Sequence, residues 1–279
     1  MSKNEEHLAN DPDIAAEREA LASIHLDKES VRAVQPSSRS ISQPFRFIPL
    51  KMSGNSFQGS SETAELLAEV GGSPAIQRMT RLFYEKAFAN PHFDLFIVNH
   101  DDPHFMRLAN WIVEKMGGEG KPWTRERAER SECPVRLADG RMHVVYDRTS
   151  AHVAAWFSAK RPADVVGQRF QLHDSRVWMR LMFWSAREAG LFTSPTFEDW
   201  YIRFIGHFIS IYEASAPLFA RESARWSEKT SNIEAYHAAG NTMVDVMGRD
   251  GQGVTLQQAI KCLPRSEASD ALWPYVKKP

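Results

Sequence analysis

Hydrophobic positions along the middle of the chain recur with helical spacing. In SPAIQRMTRLFYEKAFAN, Ile76, Met79, Phe83 and Ala87 fall on one stripe, with Leu82 and Tyr84 flanking it. Ser73-Pro74 predicts the start of that helix, since proline fits a first turn that has no N–H partner to lose. Phe197, Trp200, Tyr201, Phe204, Ile205, Phe208, Ile209 and Tyr212 keep the same rhythm and predict the strongest helix of the chain. HDSRVWMRLMFWSAREAGL predicts a third, capped at Asp174 and stopped at Gly190, with Val177, Leu181 and Trp184 on one stripe and Trp178, Met182 and Ser185 on the next.

Shorter pieces fill the gaps. SSETAELLAEVGG has a serine cap and ends in two glycines. NPHFDLF reads as a proline-bent corner carrying Phe93 and Phe96. Asp102-Pro103 predicts a helix with an acidic N-cap, running to Gly117-Gly118. On it His104, Leu108 and Trp111 share one stripe, so an imidazole stands among large apolar groups. SAHVAAWFSAKRP predicts a short helix with Ser150 as its cap, stopped by Pro162. Strand alternation is nearly absent, which makes the chain all-α. The exception is 119–150, a charge-rich stretch expected to be a loop insertion with a hairpin around Asp139-Gly140.

These patterns divide the chain into three. Residues 1–61 are expected to be a polar extension and a serine- and proline-containing linker, without stable structure. The helical domain covers 62–219. From 220 to 279 the pattern weakens into a partly helical tail, broken at GRDGQG and resumed at LQQAIKCL.

Composition narrows the function. Of 279 residues 43% are hydrophobic and 25% charged, and the net charge is −1, which excludes a nucleic-acid or anionic-membrane partner held by bulk electrostatics. No apolar run is long enough to span a bilayer, and the polar, acidic N-terminus is unlike a secretory signal. The two cysteines, Cys133 and Cys262, are too far apart in sequence for a zinc pair, so a reduced, cytoplasmic setting is expected. His92, His100 and His104 tempt a metal reading, but their spacing across a proline helix start is not the HExxH of a zinc protease. No nucleophile elbow and no Walker lysine is present.

The order of the helical pieces resembles a truncated hemoglobin, most closely the second group of that family, from about Glu62 to Tyr212. Four local matches carry the resemblance. GGSP followed by RLFY is similar to the first two helices, DLF to the corner beside the heme, PHFMRLANWIVEKMGG to the helix over the distal face, and DSRVWMRLMFW to the later helix whose tryptophan contacts the heme. The resemblance implies a two-over-two helical globin-like core holding heme b, and a diatomic gas bound at its iron. It implies that Tyr84 donates to the bound gas, that Phe96 is the corner aromatic, and that Trp178 is the heme-contacting tryptophan. His104 falls at the distal gate, where it donates to the gas or ligates iron itself, and Leu108 faces the iron. Lys160 and Arg161 are expected to pair with the heme carboxylates, with Arg169 and Arg176 as further candidates.

The proximal side departs from the family. Its usual place, counted back from Trp178, holds Val165, which cannot bind iron. His152 is the expected ligand, with His173 and His143 as alternatives. The rival expectations are a heme-free helical interaction protein of the same fold, or a sensor whose tails meet a reductase or other protein partner.

Overall fold

The computed structural model describes residues 44–53, 56–130, 133–243, 260, 261 and 263; the side chains of Ser56 and Cys133 lie outside the description. The chain divides into two compact units, Met1–Ser42 and Gln43–Pro279, and every described residue belongs to the second. The first 43 residues, GRDGQG, most of LQQAIKCL and Cys262 lie outside the described residues.

The unit is mostly helical. Ten α-helices are described: α1 Ser61–Glu69, α2 Gly72–Ala89, α3 Pro91–Asp94, α4 His104–Lys115, α5 Pro122–Glu129, α6 Arg148–Trp156, α7 Leu172–Glu188, α8 Pro195–Ile209, α9 Ala220–Trp226 and α10 Thr230–Ala238. Two short antiparallel hairpins accompany them, β1 Lys51–Ser53 with β2 Ser56–Gln58, and β3 Cys133–Arg136 with β4 Met142–Val145. No described helix is long and apolar enough to cross a membrane.

The apolar stripes account for the core. Ile76, Met79, Phe83 and Ala87 of α2 are fully buried and face α4 and α7. Each such Ile, Met or Phe side chain contributes about 1.5–3 kcal/mol by leaving water. On α8, Trp200 and Phe204 stack at 4.7 Å, and Trp111 of α4 closes on Phe204 at 5.4 Å. Glycine sets the turn after α4. Gly117 is left-handed at φ 87°, and a Cβ on Gly118 would lie 2.5 Å from Val113 Cγ1, so neither position accepts a larger residue without movement.

Several expectations about edges are corrected. Asp102 does not cap α4; Pro103 holds that place, and the Asp102 carboxylate instead accepts from Arg107 at 2.8 Å. Asp147, not Ser150, caps α6, in a reciprocal box where Asp147 Oδ1 accepts from the Ser150 N–H at 2.8 Å and Ser150 Oγ from the Asp147 N–H at 2.9 Å. Likewise α7 opens at Gln171, and Asp174 reaches back from three residues on to accept the Gln171 N–H at 2.7 Å. Residues 44–60, expected as linker, place Ile48, Leu50 and Phe57 in the core, and Arg203 of α8 donates to the Ile48 carbonyl at 2.8 Å. The 119–150 stretch holds the expected hairpin, and also α5, which a loop reading omits. From the tail, Trp226 and Tyr236 pack on Trp184 at 6.0 and 5.8 Å.

Candidate functional site

One cavity of about 240 Å³ opens among these helices. Its walls are mostly apolar: Phe93, Phe96 and Ile97 from the corner, Leu108 and Trp111 from α4, Trp178 from α7, and Ile205, Phe208 and Ile209 from α8. The 119–150 stretch adds Trp123 and Val145. Six of the eight site residues expected from sequence line this cavity: Tyr84, Phe96, His104, Leu108, His152 and Trp178.

His152 is the most unusual of them. The capping box at Asp147 starts α6 so that Arg148 and His152, four residues apart, share the face toward the cavity. The imidazole stands edge-on to Tyr212 at 4.6 Å and to Phe170 at 5.4 Å. Its Nδ1 is buried and has no hydrogen-bond partner, and no partner for Nε2 occurs among the described residues. Burial, helped by the nearby Arg148 charge, pushes its pKa down to about 3, so the ring is neutral at physiological pH. Leaving such a group unpaired costs about 1–3 kcal/mol.

The other two candidates are committed elsewhere. The His143 ring nitrogen Nε2 lies 2.8 Å from the Ser150 carbonyl, and His173 Nε2 lies 3.0 Å from Asp174 Oδ1. Neither lines the cavity.

Three donors were expected beside the bound gas, and they differ. Tyr84, whose phenol burial holds in its protonated form, makes no hydrogen bond among the described residues. The Trp178 indole N–H also has no acceptor there, its ring lying against Phe83 at 5.6 Å. His104 is already occupied. Its ring stacks on Tyr84 at 5.3 Å, and its Nε2 sits 2.6 Å from the Asn99 carbonyl. A nitrogen facing a carbonyl must carry the proton, so His104 has spent its one N–H while neutral. Burial lowers its pKa and favours that neutral form.

The basic residues are where sequence reasoning fails. Lys160 pairs with Asp94 at 3.2 Å, and Arg161 donates to the Trp156 and Gln168 carbonyls at 2.7 and 2.8 Å; neither lines the cavity. Arg169 lies over Trp156, and Arg176 pairs with Glu222. The cations that line the cavity are Arg107, paired with Asp102 at 2.8 Å, and Arg148, and the carboxylates of Asp147 and Asp174 line it too. The Arg148 guanidinium lies 4.5 Å from the Trp111 ring and 5.2 Å from Phe208, with no carboxylate partner among the described residues. The i, i+4 spacing from His152 was the sequence signal that could have found it.

No protein-family model, no curated protein and no solved structure matches the chain.

Proposed function

We propose that this chain is a heme protein with a globin-like core, and that it binds a diatomic gas. The observation that carries the proposal is His152, a neutral and unpartnered imidazole on the wall of an apolar cavity. The donor set fits the group. A His152 ring nitrogen would hold the iron, the aromatic and aliphatic walls suit a flat apolar macrocycle, and Arg148, with no carboxylate partner among the described residues, would offer its charge to a heme carboxylate. Arg148 thereby takes the role first expected of Lys160 and Arg161.

Heme, when bound, supplies an open coordination position at iron for dioxygen, carbon monoxide or nitric oxide. The chain's own residues then decide how long a gas stays. The Tyr84 O–H and Trp178 N–H would be the donors to a bound gas, each net hydrogen bond being worth about 0.5–1.5 kcal/mol. His104 joins them only by breaking its bond to Asn99. Phe96 and Leu108 keep water from the site.

The test is titration of the heme-free full chain with hemin, followed by absorption, beside His152→Ala. A stoichiometric Soret band with a histidine-ligated ferrous spectrum, absent from the variant, is the expected result. A ferrous spectrum unchanged in the variant removes His152 from the role. Wild-type protein without saturable uptake would sink the heme proposal and leave a helical interaction protein.

A further inference from the structure

A second set of histidines stands beside the same cavity and is not used by the proposal above. His92 lies on α3, and His173 and Asp174 lie in the first turn of α7. One ring nitrogen from each histidine and a carboxylate oxygen all fall within 4.8 Å of one another, the only such group of three among the described residues. His92 Nε2 is 2.6 Å from Asp174 Oδ1 and His173 Nε2 is 3.0 Å from the same oxygen, with the two rings 5.1 Å apart.

We propose that His92, His173 and Asp174 form a binding site for a divalent transition metal, zinc or a first-row neighbour. Two imidazoles and one carboxylate are a donor set that zinc, iron(II), cobalt and nickel all accept. The three groups are already gathered, with both Nε2 atoms in contact with Asp174 Oδ1. Metal–ligand bonds of about 2.0–2.2 Å at a tetrahedral centre put ligand atoms roughly 3.4 Å apart. The two nitrogen–oxygen contacts therefore open by under an ångström to admit the ion. Each Nε2 that donates to Asp174 gives up its proton to bind the ion, and a neutral ring takes a proton on Nδ1 in exchange, so no net proton is released.

The supports around the site are in place. Asn90 caps α3 and its Oδ1 accepts from the His92 N–H at 3.1 Å, which fixes the backbone of that residue. Asp174 Oδ2 is held by the Gln171 N–H, leaving Oδ1 for the ion. His92 and Asp174 are buried, whereas the His173 side chain is 19% exposed and offers the side for entry and for a fourth ligand. Three protein ligands with one side open is the pattern of an exchangeable rather than a closed structural site. An ion there clamps the corner helix α3 to α7, and so fixes the wall that carries Phe93 and Phe96.

The experiment is calorimetric titration of the full chain, stripped with chelator and free of heme, with zinc chloride. One ion per chain at micromolar affinity or tighter is expected, with a higher melting temperature when zinc is present. His173→Ala, at a partly exposed position, should fold as well as wild type without metal and lose affinity by on the order of 100-fold. Asp174→Asn should lose as much, and where it does not fold His173→Ala decides alone. His100→Ala, whose ring pairs with Asp94 on the surface, should bind zinc like wild type. Absence of saturable uptake, equal affinity in His173→Ala, or loss in His100→Ala would each overturn the site.

Discussion

Two kinds of histidine flank one cavity. His92 and His173 share the Asp174 carboxylate, and each has a ring nitrogen within 3.0 Å of it. His152 stands among Tyr212, Phe170 and Arg148, and its buried Nδ1 has no hydrogen-bond partner among the described residues. The first arrangement is self-sufficient: burial alone would raise the Asp174 carboxyl, but hydrogen bonds from His173 and His92 outweigh it and hold it well below the usual range. The second leaves the buried His152 Nδ1 without a hydrogen-bond partner among the described residues. The comparison teaches that histidines beside one cavity can differ in whether the fold itself satisfies their ring nitrogens.

Mutation should give the two places opposite signs. The largest effect is expected at the shared carboxylate. Asp174→Ala removes the acceptor of two imidazoles and of the α7 capping box together, and should cost about 3–5 kcal/mol in denaturant unfolding of the heme-free chain. Next is His152→Leu, which replaces an unpaired imidazole with an apolar group of similar size. It should stabilise the heme-free chain by about 1–3 kcal/mol while abolishing heme ligation. If both substitutions destabilise alike, His152 has a structural partner and the contrast fails.

Acid separates the two places by their sign and their window. The His152 pKa falls from 6.5 unfolded to about 3 folded, so between those values the unfolded chain binds the extra proton. Stability therefore falls as pH falls from 6.5, at up to about 1.4 kcal/mol per pH unit for this one site. His104 and His207, both lowered by burial, add in the same direction. Asp174 acts lower. Its folded pKa is depressed, so its stabilisation is complete above the ordinary carboxylate range and is lost only below roughly pH 4. Unfolding curves from pH 4 to 6.5 should be flatter in His152→Leu than in wild type. Equal slopes would mean that the ring already titrates normally in the folded chain.

Periodicity made the helices and their buried stripes legible, because burial on one face is a local property of the sequence. Six residues that the family resemblance singled out line one cavity, five of them on helices and Phe96 in the turn after α3. Helix edges were less legible. Asp102 and Asp174 both look like caps, yet one is taken by Arg107 and the other caps from three residues inside the helix. Charge was read worst. Lys160 and Arg161 follow the proposed proximal helix in sequence, but pairing with Asp94 and with two carbonyls turns them away. The meeting of His92 with Asp174 spans 82 residues and left no local trace. The burial of Phe57 by α8 aromatics likewise depends on packing across the chain.

The smallest effect tests the cavity from its other walls. Tyr84 and His104 are stacked neighbours, but only the tyrosine has an uncommitted donor among the described residues. In the heme-loaded chain, Tyr84→Phe removes one hydrogen bond to bound dioxygen and almost no volume. Release of dioxygen, followed by stopped flow, should quicken by about 2–12-fold, the rate equivalent of 0.5–1.5 kcal/mol. His104→Leu should change that rate less, since its N–H is spent on Asn99. Should His104→Leu prove the larger of the two, the ring leaves Asn99 when the gas binds, and the occupied histidine becomes the donor that matters.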